Sequence, residues 1–380
     1  MIQVLVVAGT RPEAIKMAPV IQELHRRPDR FVARVCATAQ HREMLDQVFS
    51  LFAIVPDVDL NLMEPEQTPA QVLARVLLSL EPVLRDLRPD WVLVQGDTST
   101  VVAAALCAHY NRVRVGHVEA GLRSFDRGNP FPEEMNRVVA DQISDLNFAP
   151  TAQARQNLLR EGVPEERIRV TGNTVIDALL EVAGQPWQPP EGDVLRQIDP
   201  AKRWVLVTAH RRENLGAPLL RICAALRALA GRGDVEVIYP VHLNPAVWGP
   251  VHEHLGAVRG VWLLPPVDYR RLVYLMQKSS LVLTDSGGIQ EEAPSLGVPV
   301  LVLREVTERP EGVAAGTARV VGTDTQSIVA EAERLLDDAG AYSAMAQAAN
   351  PYGDGQAAQR IVEALSAVAT ASRVLGGAGG

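Results

Sequence analysis

Short apolar runs of β-forming residues recur along the chain, and each ends in glycine or a polar cluster. The first is VLVVAG at 4–9. Behind it, Ile15, Met17, Val20, Ile21 and Leu24 recur at the spacing of one helix face. FVARVCATA at 31–39, WVLVQG at 91–96 and VRVGHVEAG at 113–121 predict further strands, with a helix over 99–110. Runs this apolar, separated by helices, predict a parallel sheet covered on both faces. Residues 184–202 are rich in proline and glycine and read as a linker, after which the alternation begins again. Strands are expected at 204–209, 235–241, 261–267, 281–285, 298–303 and 318–322. At about 150 residues per domain, a chain of 380 residues accommodates two domains. The pattern therefore predicts an α/β protein of two doubly wound domains meeting near 172–200.

Composition narrows the class. Apolar residues make up 47% and charged residues 22%, which excludes a disordered chain, a fibre and a coiled coil. The formal net charge of −8 argues against generic binding to nucleic acid or to an anionic membrane. Local anion binding by a few cations and helix N-termini stays open. Cys36, Cys107 and Cys223 are far apart and odd in number, so they read as small buried residues in a reducing compartment. No apolar run approaches the roughly 18 residues of a membrane span. The chain starts directly in a strand and soon reaches Arg11 and Lys16, unlike a secretory signal. A cytoplasmic protein is expected.

In open α/β sheets, ligands bind outside the carboxyl ends of the strands. Those ends carry GTRPEAIK, QGDTST, GHVEAGLR, TAHRREN, YPVHLNP and TDSGGIQEE, and two such rims facing across a cleft would form one polar site. In TDSGGIQEE, Ser286, Gly287 and Gly288 open a helix where backbone N–H groups favour a phosphate, and Glu291 or Glu292 could accept from ribose hydroxyls. The same residues also fit a plain strand–turn–helix in which Ser286 caps and the acids answer the helix dipole. Arg11 and Lys16 oppose the dipole of the first helix, which fits an anion ligand, pairing with Glu13 or simple solvation. Asp97 reads as an acid or as a helix N-cap. Glu119 ends the next strand, so the two side chains could converge. Glu133 follows a proline expected at the first helical position, where it is an acid or compensates the dipole. Three carboxylates in one partly desolvated site should drive at least one pKa upward, giving an acid and a base together.

His210, beside Arg211 and Arg212, fits a phosphate or leaving oxygen, and also a structural histidine. His252 and His254 are two apart on an expected helix and point away from each other. The sequence carries no GxGxxG after the first strand, no GxxxxGK[ST], no HExxH and no GxSxG, so no nicotinamide, metal or covalent-nucleophile signature is present.

Taken together, GTRPEAIKMAP (9–19), AQHREMLDQV (39–48), GDTST (96–100), GHVEAGLR (116–123), PEEMNR (132–137), TGNTVIDALL (171–180), HRREN (210–214), YPVHLNP (239–245), TDSGGIQEEAPSLG (284–297), TERPEG (307–312) and NPYGDGQA (350–357) resemble the non-hydrolysing UDP-N-acetylglucosamine 2-epimerases. The likeness runs in order from about residue 2 to 365. It implies a glycosyltransferase-B type fold of two Rossmann-like domains with the ligand in the cleft. Residues 1–172 plus a last helix near 355–375 would form one domain, and 173–354 the UDP-binding domain. It implies reversible interconversion of UDP-GlcNAc and UDP-ManNAc without NAD or metal, by a homodimer supplying bacterial cell-surface polysaccharides. The matching positions imply catalytic roles for Asp97, Glu119, Glu133 and His210. They imply UDP-sugar binding by Arg11, Lys16, Ser286, Gly287, Gly288, Glu292 and Arg309. In some members UDP-GlcNAc also activates from a neighbouring site, and Gln40, His41 and Gln47 would be its counterparts here. Where close relatives place Gln and Phe around the uracil, this chain has Val267 and Leu272, so base contacts are expected to be backbone and aliphatic. The implied chemistry is anti elimination of UDP, a 2-acetamidoglucal intermediate and re-addition of UDP. A glycosyltransferase of the same fold and a non-catalytic sugar-nucleotide sensor are the alternatives.

Overall fold

The computed structural model describes residues 1–38, 42–62, 64 and 67–376. The chain divides into two compact units, Met1–Ala178 with Tyr352–Gly380, and Leu179–Pro351.

The first unit is built on β1 (Ile2–Ala8), β2 (Phe31–Ala37), β3 (Val58–Asp59), β4 (Trp91–Gln95), β5 (Arg114–Val118), β6 (Leu146–Ala149) and β7 (Ile168–Val170). They form one sheet in the order β3-β2-β1-β4-β5-β6-β7, with parallel pairing throughout. The strand expected at 113–121 stops at Val118, because Glu119 turns the chain with φ +67°. Strands β3, β6 and β7, of two, four and three residues, lie in no continuous apolar run that would announce them. The helix Ser99–Tyr110 buries Val101, Val102, Ala103, Ala104, Ala105, Cys107 and Ala108 between the sheet and the helix Pro69–Leu87, which explains its near-uniform apolarity. The last helix, Ala357–Gly376, belongs to this unit and packs on the helix Arg11–His25. Its start is fixed by Asp177, whose carboxylate accepts from the N–H groups of Ala357 and Ala358.

The second unit repeats the plan with β8 (Arg203–Thr208), β9 (Val235–Pro240), β10 (Val261–Leu264), β11 (Ser279–Thr284), β12 (Val300–Val302) and β13 (Ala318–Val320). Their order is β10-β9-β8-β11-β12-β13, again all parallel. The strand expected at 261–267 ends at Leu264, where Pro265 and Pro266 supply no N–H to the ladder. All three cysteines are buried and free, and burial pushes the Cys36 thiol up to about 12. No helix among the described residues is long and apolar enough to cross a membrane.

In each sheet the strand order reverses between the first and fourth strands of the unit. Those two points, β1/β4 and β8/β11, are where a doubly wound sheet opens a crevice for a ligand.

Candidate functional site

The β1/β4 switch gathers the acids of the first unit. Gly9 and Thr10 lead from β1 into the helix Arg11–His25, and Glu13 completes a capping box there. Its Oε2 accepts from the N–H groups of Gly9 (2.6 Å) and Thr10 (3.3 Å), and its Oε1 accepts from the Thr98 hydroxyl (2.7 Å). Burial raises the Glu13 pKa despite these donors. Glu13 thus ties the first helix to the loop carrying Asp97. Lys16, on the same helix, is ion-paired with Glu119. Arg11 is partly exposed at the helix start.

Asp97 is not a helix cap. Thr98 caps the helix Ser99–Tyr110, accepting from the Val101 N–H. The Asp97 carboxylate faces Arg137 Nη2 at 2.5 Å, and its backbone carbonyl accepts from the Asn136 amide at 2.8 Å. Asn136 and Arg137 are three and four residues beyond Glu133 on the helix Glu133–Ile143, so Glu133 shares the face turned to Asp97. Glu133 is half-buried, and its side chain has no hydrogen bond or ion pair among the described residues. Its neighbour Glu134 is buried and accepts from the Ser124 (3.0 Å) and Phe125 (2.8 Å) N–H groups. Pro132 occupies the cap position rather than the first helical position.

Glu119 follows β5, the neighbour of β4. It holds a left-handed backbone without being glycine, a cost of order 1–3 kcal/mol that surrounding contacts must sustain. Gln95 donates to its Oε1 (3.1 Å), while Asn173 (2.8 Å) and Lys16 donate to Oε2. Asp97 and Glu119 thus each meet a cation.

A largely buried network underlies these residues. His117 places Nδ1 2.6 Å from Asp141 and Nε2 2.7 Å from the Gly96 carbonyl. Asp141 also accepts from the Gly121 N–H (3.1 Å) and from Arg123 (2.5 Å), which continues to Glu161. Burial alone would raise Asp141, but His117 and Arg123 overcome it and hold the carboxyl below its ordinary value. The network fixes the peptide just before Asp97 and the turn just after Glu119. Sequence reasoning missed Gln95, Arg137, Asn173, His117 and Asp141. Arg137 had a signal, its place one turn beyond Glu133, and Gln95 had another, as the polar residue closing an apolar strand. The other three had none.

At the β8/β11 switch, Thr208 and Thr284 join the strand ends through their hydroxyls, 2.5 Å apart. Asp285 is fully buried. Its Oδ2 accepts from the N–H groups of His210 (2.8 Å) and Arg211 (2.8 Å) and from the Asn214 amide (2.9 Å). His210 is part-exposed and stacks on His242, with centroids 5.3 Å apart. Burial lowers the His210 pKa; Asp285 opposes the shift, and His242 and Arg211 reinforce it. The net effect disfavours the imidazolium form.

Ser286 occupies the cap position of the helix Gly287–Glu292 but makes no side-chain cap bond, so its hydroxyl is not committed to the helix. A Cβ on Gly287 would approach Glu308 Oε1 at 3.2 Å, whereas one on Gly288 would find its nearest neighbour at 3.7 Å. Arg309 is ion-paired with the buried Glu291. Glu292 is also buried and accepts from the Tyr269 hydroxyl at 2.7 Å. Val267 and Leu272 are half-buried around the start of the helix Tyr269–Lys278.

Gln47 is exposed on the helix Arg42–Leu51, and Gln40 and His41 lie outside the described residues. His252 stacks on Trp248 within the helix Pro245–Leu255. No group of three or more His, Cys, Asp or Glu side chains among the described residues is placed to hold a metal ion.

Comparison with known proteins adds a family. A family model described as UDP-N-acetylglucosamine 2-epimerase matches residues 22–366. The UDP-N-acetylglucosamine 2-epimerase of Escherichia coli K12 is 55% identical over 372 residues, covering 96% of this chain and 98% of that protein. The crystal structure of a putative UDP-N-acetylglucosamine 2-epimerase from Listeria monocytogenes is 47% identical with a TM-score of 0.90, covering 96% of this chain and 95% of that one. The Neisseria meningitidis UDP-GlcNAc 2-epimerase bound to UDP-GlcNAc is 47% identical with a TM-score of 0.86, covering 96% and 99%.

Proposed function

Because the chain belongs to the UDP-N-acetylglucosamine 2-epimerase family, we propose that it interconverts UDP-GlcNAc and UDP-ManNAc by anti elimination of UDP, formation of 2-acetamidoglucal and re-addition of UDP to C1. The observation that carries the reading is the set of acids at β4, β5 and the following helix. Asp97 and Glu119 leave adjacent strands, each beside a cation, and Glu133 lies on the helix face that binds Asp97.

The chemistry asks for such a set. The C2 proton of the sugar is weakly acidic, so direct removal is slow. Breaking the C1–O bond to UDP first builds positive charge on the ring, and that charge acidifies C2–H. Carboxylates stabilise the developing cation and one of them takes the proton. The returning proton must reach the opposite face, which needs a second acid–base group. Asp97, Glu119 and Glu133 supply three candidates. Lys16 and Arg137 pair with two of them.

The second unit's roles concern the nucleotide. Ser286 and the N–H groups of Gly287 and Gly288 suit the departing diphosphate, with Arg309 as a cation. His210, part-exposed at the strand ends, is suited to exchange a proton with the leaving oxygen. Glu292 would receive ribose hydroxyls, and Val267 and Leu272 would line the base. A cytoplasmic homodimer needing neither NAD nor a metal completes the reading.

The test is incubation with UDP-GlcNAc in heavy water. Deuterium should enter C2 of both epimers. Epimerisation with the original C2 hydrogen retained would overturn the elimination route, and conversion only in the presence of an acceptor would point to a transferase.

A further inference from the structure

Asp285 combines features that no role in the nucleotide reading uses. It is a wholly buried carboxylate with its two oxygens treated unequally. Oδ2 accepts three hydrogen bonds, from the His210 and Arg211 backbone and the Asn214 side chain. Oδ1 has no hydrogen-bond partner, and it faces His210 Nδ1 at 3.8 Å. A buried carboxylate oxygen left without a donor is costly unless a donor comes to it. The one aimed at it is the His210 ring, which needs to approach by about 1 Å to reach hydrogen-bond distance. His242 stacks nearly parallel on the His210 ring, at 11°.

We propose that Asp285 is a positioning residue for His210: it holds the loop 210–214 through the backbone, and its free oxygen accepts a hydrogen bond from Nδ1–H, fixing the tautomer that leaves Nε2 as the reacting nitrogen. Nε2 then lies on the far side of the ring from the strand ends. The arrangement follows the carboxylate–imidazole pairing that orients a catalytic histidine elsewhere, built here from a strand-end aspartate. The assignment of a proton-transfer step to His210 rests on the epimerase reading above; the tautomer does not.

The decisive variant is Asp285→Asn. Three N–H donors converge on the Oδ2 position, so the asparagine must put its carbonyl there. Its NH2 group then faces His210 Nδ1, which must accept, and the proton moves to Nε2. The side-chain shape is conserved while the tautomer is reversed. Around the ring the ionisable groups are Asp285, His242 and Arg211, and Arg211 is itself held by Glu308. Losing the carboxylate therefore also lowers the pH at which the ring protonates.

Long-range proton–nitrogen NMR on the wild-type protein without substrate, with His210 assigned by a His210→Gln difference spectrum, should show the Nδ1–H tautomer. Asp285→Asn should show Nε2–H, a lower midpoint for His210, turnover reduced by about 100-fold or more and UDP affinity within about 3-fold of wild type. A wild-type His210 in the Nε2–H form overturns the proposal, even if the variant does not fold. So does a variant that keeps both tautomer and turnover. An Nδ1–H ring in a protein that fails to epimerise would sink the functional reading and leave this inference standing.

Discussion

Asp97 and Asp285 close the fourth strand of their respective sheets, in the strings GDTS and TDSG, yet they are used in opposite ways. The Asp97 carboxylate is 26% exposed and meets a side-chain cation. The Asp285 carboxylate is wholly buried and meets backbone N–H groups. The difference extends to each unit. In the first, carboxylates form the rim and buried or half-buried cations support them. In the second, an imidazole and open backbone form the rim, and a buried carboxylate supports them. One topology with the charges exchanged yields one surface suited to a developing cation and another suited to a departing anion. The position of a residue on the fold therefore does not define its role; exposure and the kind of partner do.

The sharpest way to break this contrast is to remove one carboxylate oxygen at the rim. Asp97→Asn should lower turnover by about 10³-fold, about 4 kcal/mol of activation free energy, with UDP binding retained. Product formation by NMR and UDP titration by calorimetry check it. Turnover within a few-fold of wild type would make Asp97 a structural residue and erase the distinction.

The converse concerns stability. Asp285→Ala leaves three buried donors without an acceptor and should cost about 3 kcal/mol or more in urea unfolding. Asp97→Ala frees a partly exposed pair and should cost about 1 kcal/mol or less. Equal losses would mean that both aspartates are scaffolding.

A smaller effect concerns acid. Asp141 is held below its ordinary value, so the stability it contributes is fully present above about pH 4, the unfolded carboxylate value, and disappears as pH falls through the folded value. Glu13, raised by burial, works in the opposite sense, its contribution declining as pH rises from that region. The difference between wild type and Asp141→Asn isolates the first term. The variant should show a shallower decline in stability below pH 4. Parallel curves would remove Asp141 from the acid response.

Much of this was legible in the chain. Strands of four or more apolar β-formers that end on glycine or a polar residue stand out, and all six of the second unit were anticipated. β6 did not, because Asn147 interrupts its four residues, and β3 did not, with only two. The acids at strand ends were visible for the same reason that strands were. Their partners were not. Asn173 lies 54 residues from Glu119, and Asp285 lies 75 from His210, so only the strand order brings them together. Whether an acid is a reagent or a support depends on these distant partners. Local spacing accordingly left Asp97 divided between acid and cap, and Ser286 between ligand and cap. Glu133 and Glu134 make the point at one residue's separation, since only the helix rotation decides which of them is buried.

The last prediction probes the backbone side of the contrast, where no charge changes. Gly288 belongs to the helix Gly287–Glu292, and a methyl group there would meet Glu292 Oε2 at 3.7 Å and Ser286 Oγ at 4.0 Å, ordinary van der Waals contacts. Alanine also favours a helix over glycine by roughly 0.5–1 kcal/mol, so Gly288→Ala should unfold no earlier than wild type. At Gly287 the same methyl would press on Glu308 Oε1 at 3.2 Å, so a loss there would be ambiguous. No neighbour among the described residues thus requires glycine at 288. If the diphosphate is bound by close approach to this backbone, the methyl should weaken UDP by about 10-fold, about 1.4 kcal/mol, in a calorimetric titration. Unchanged affinity with unchanged stability would mean that the phosphate groups approach elsewhere, and the open rim of the second unit would lose its claim to be an anion site.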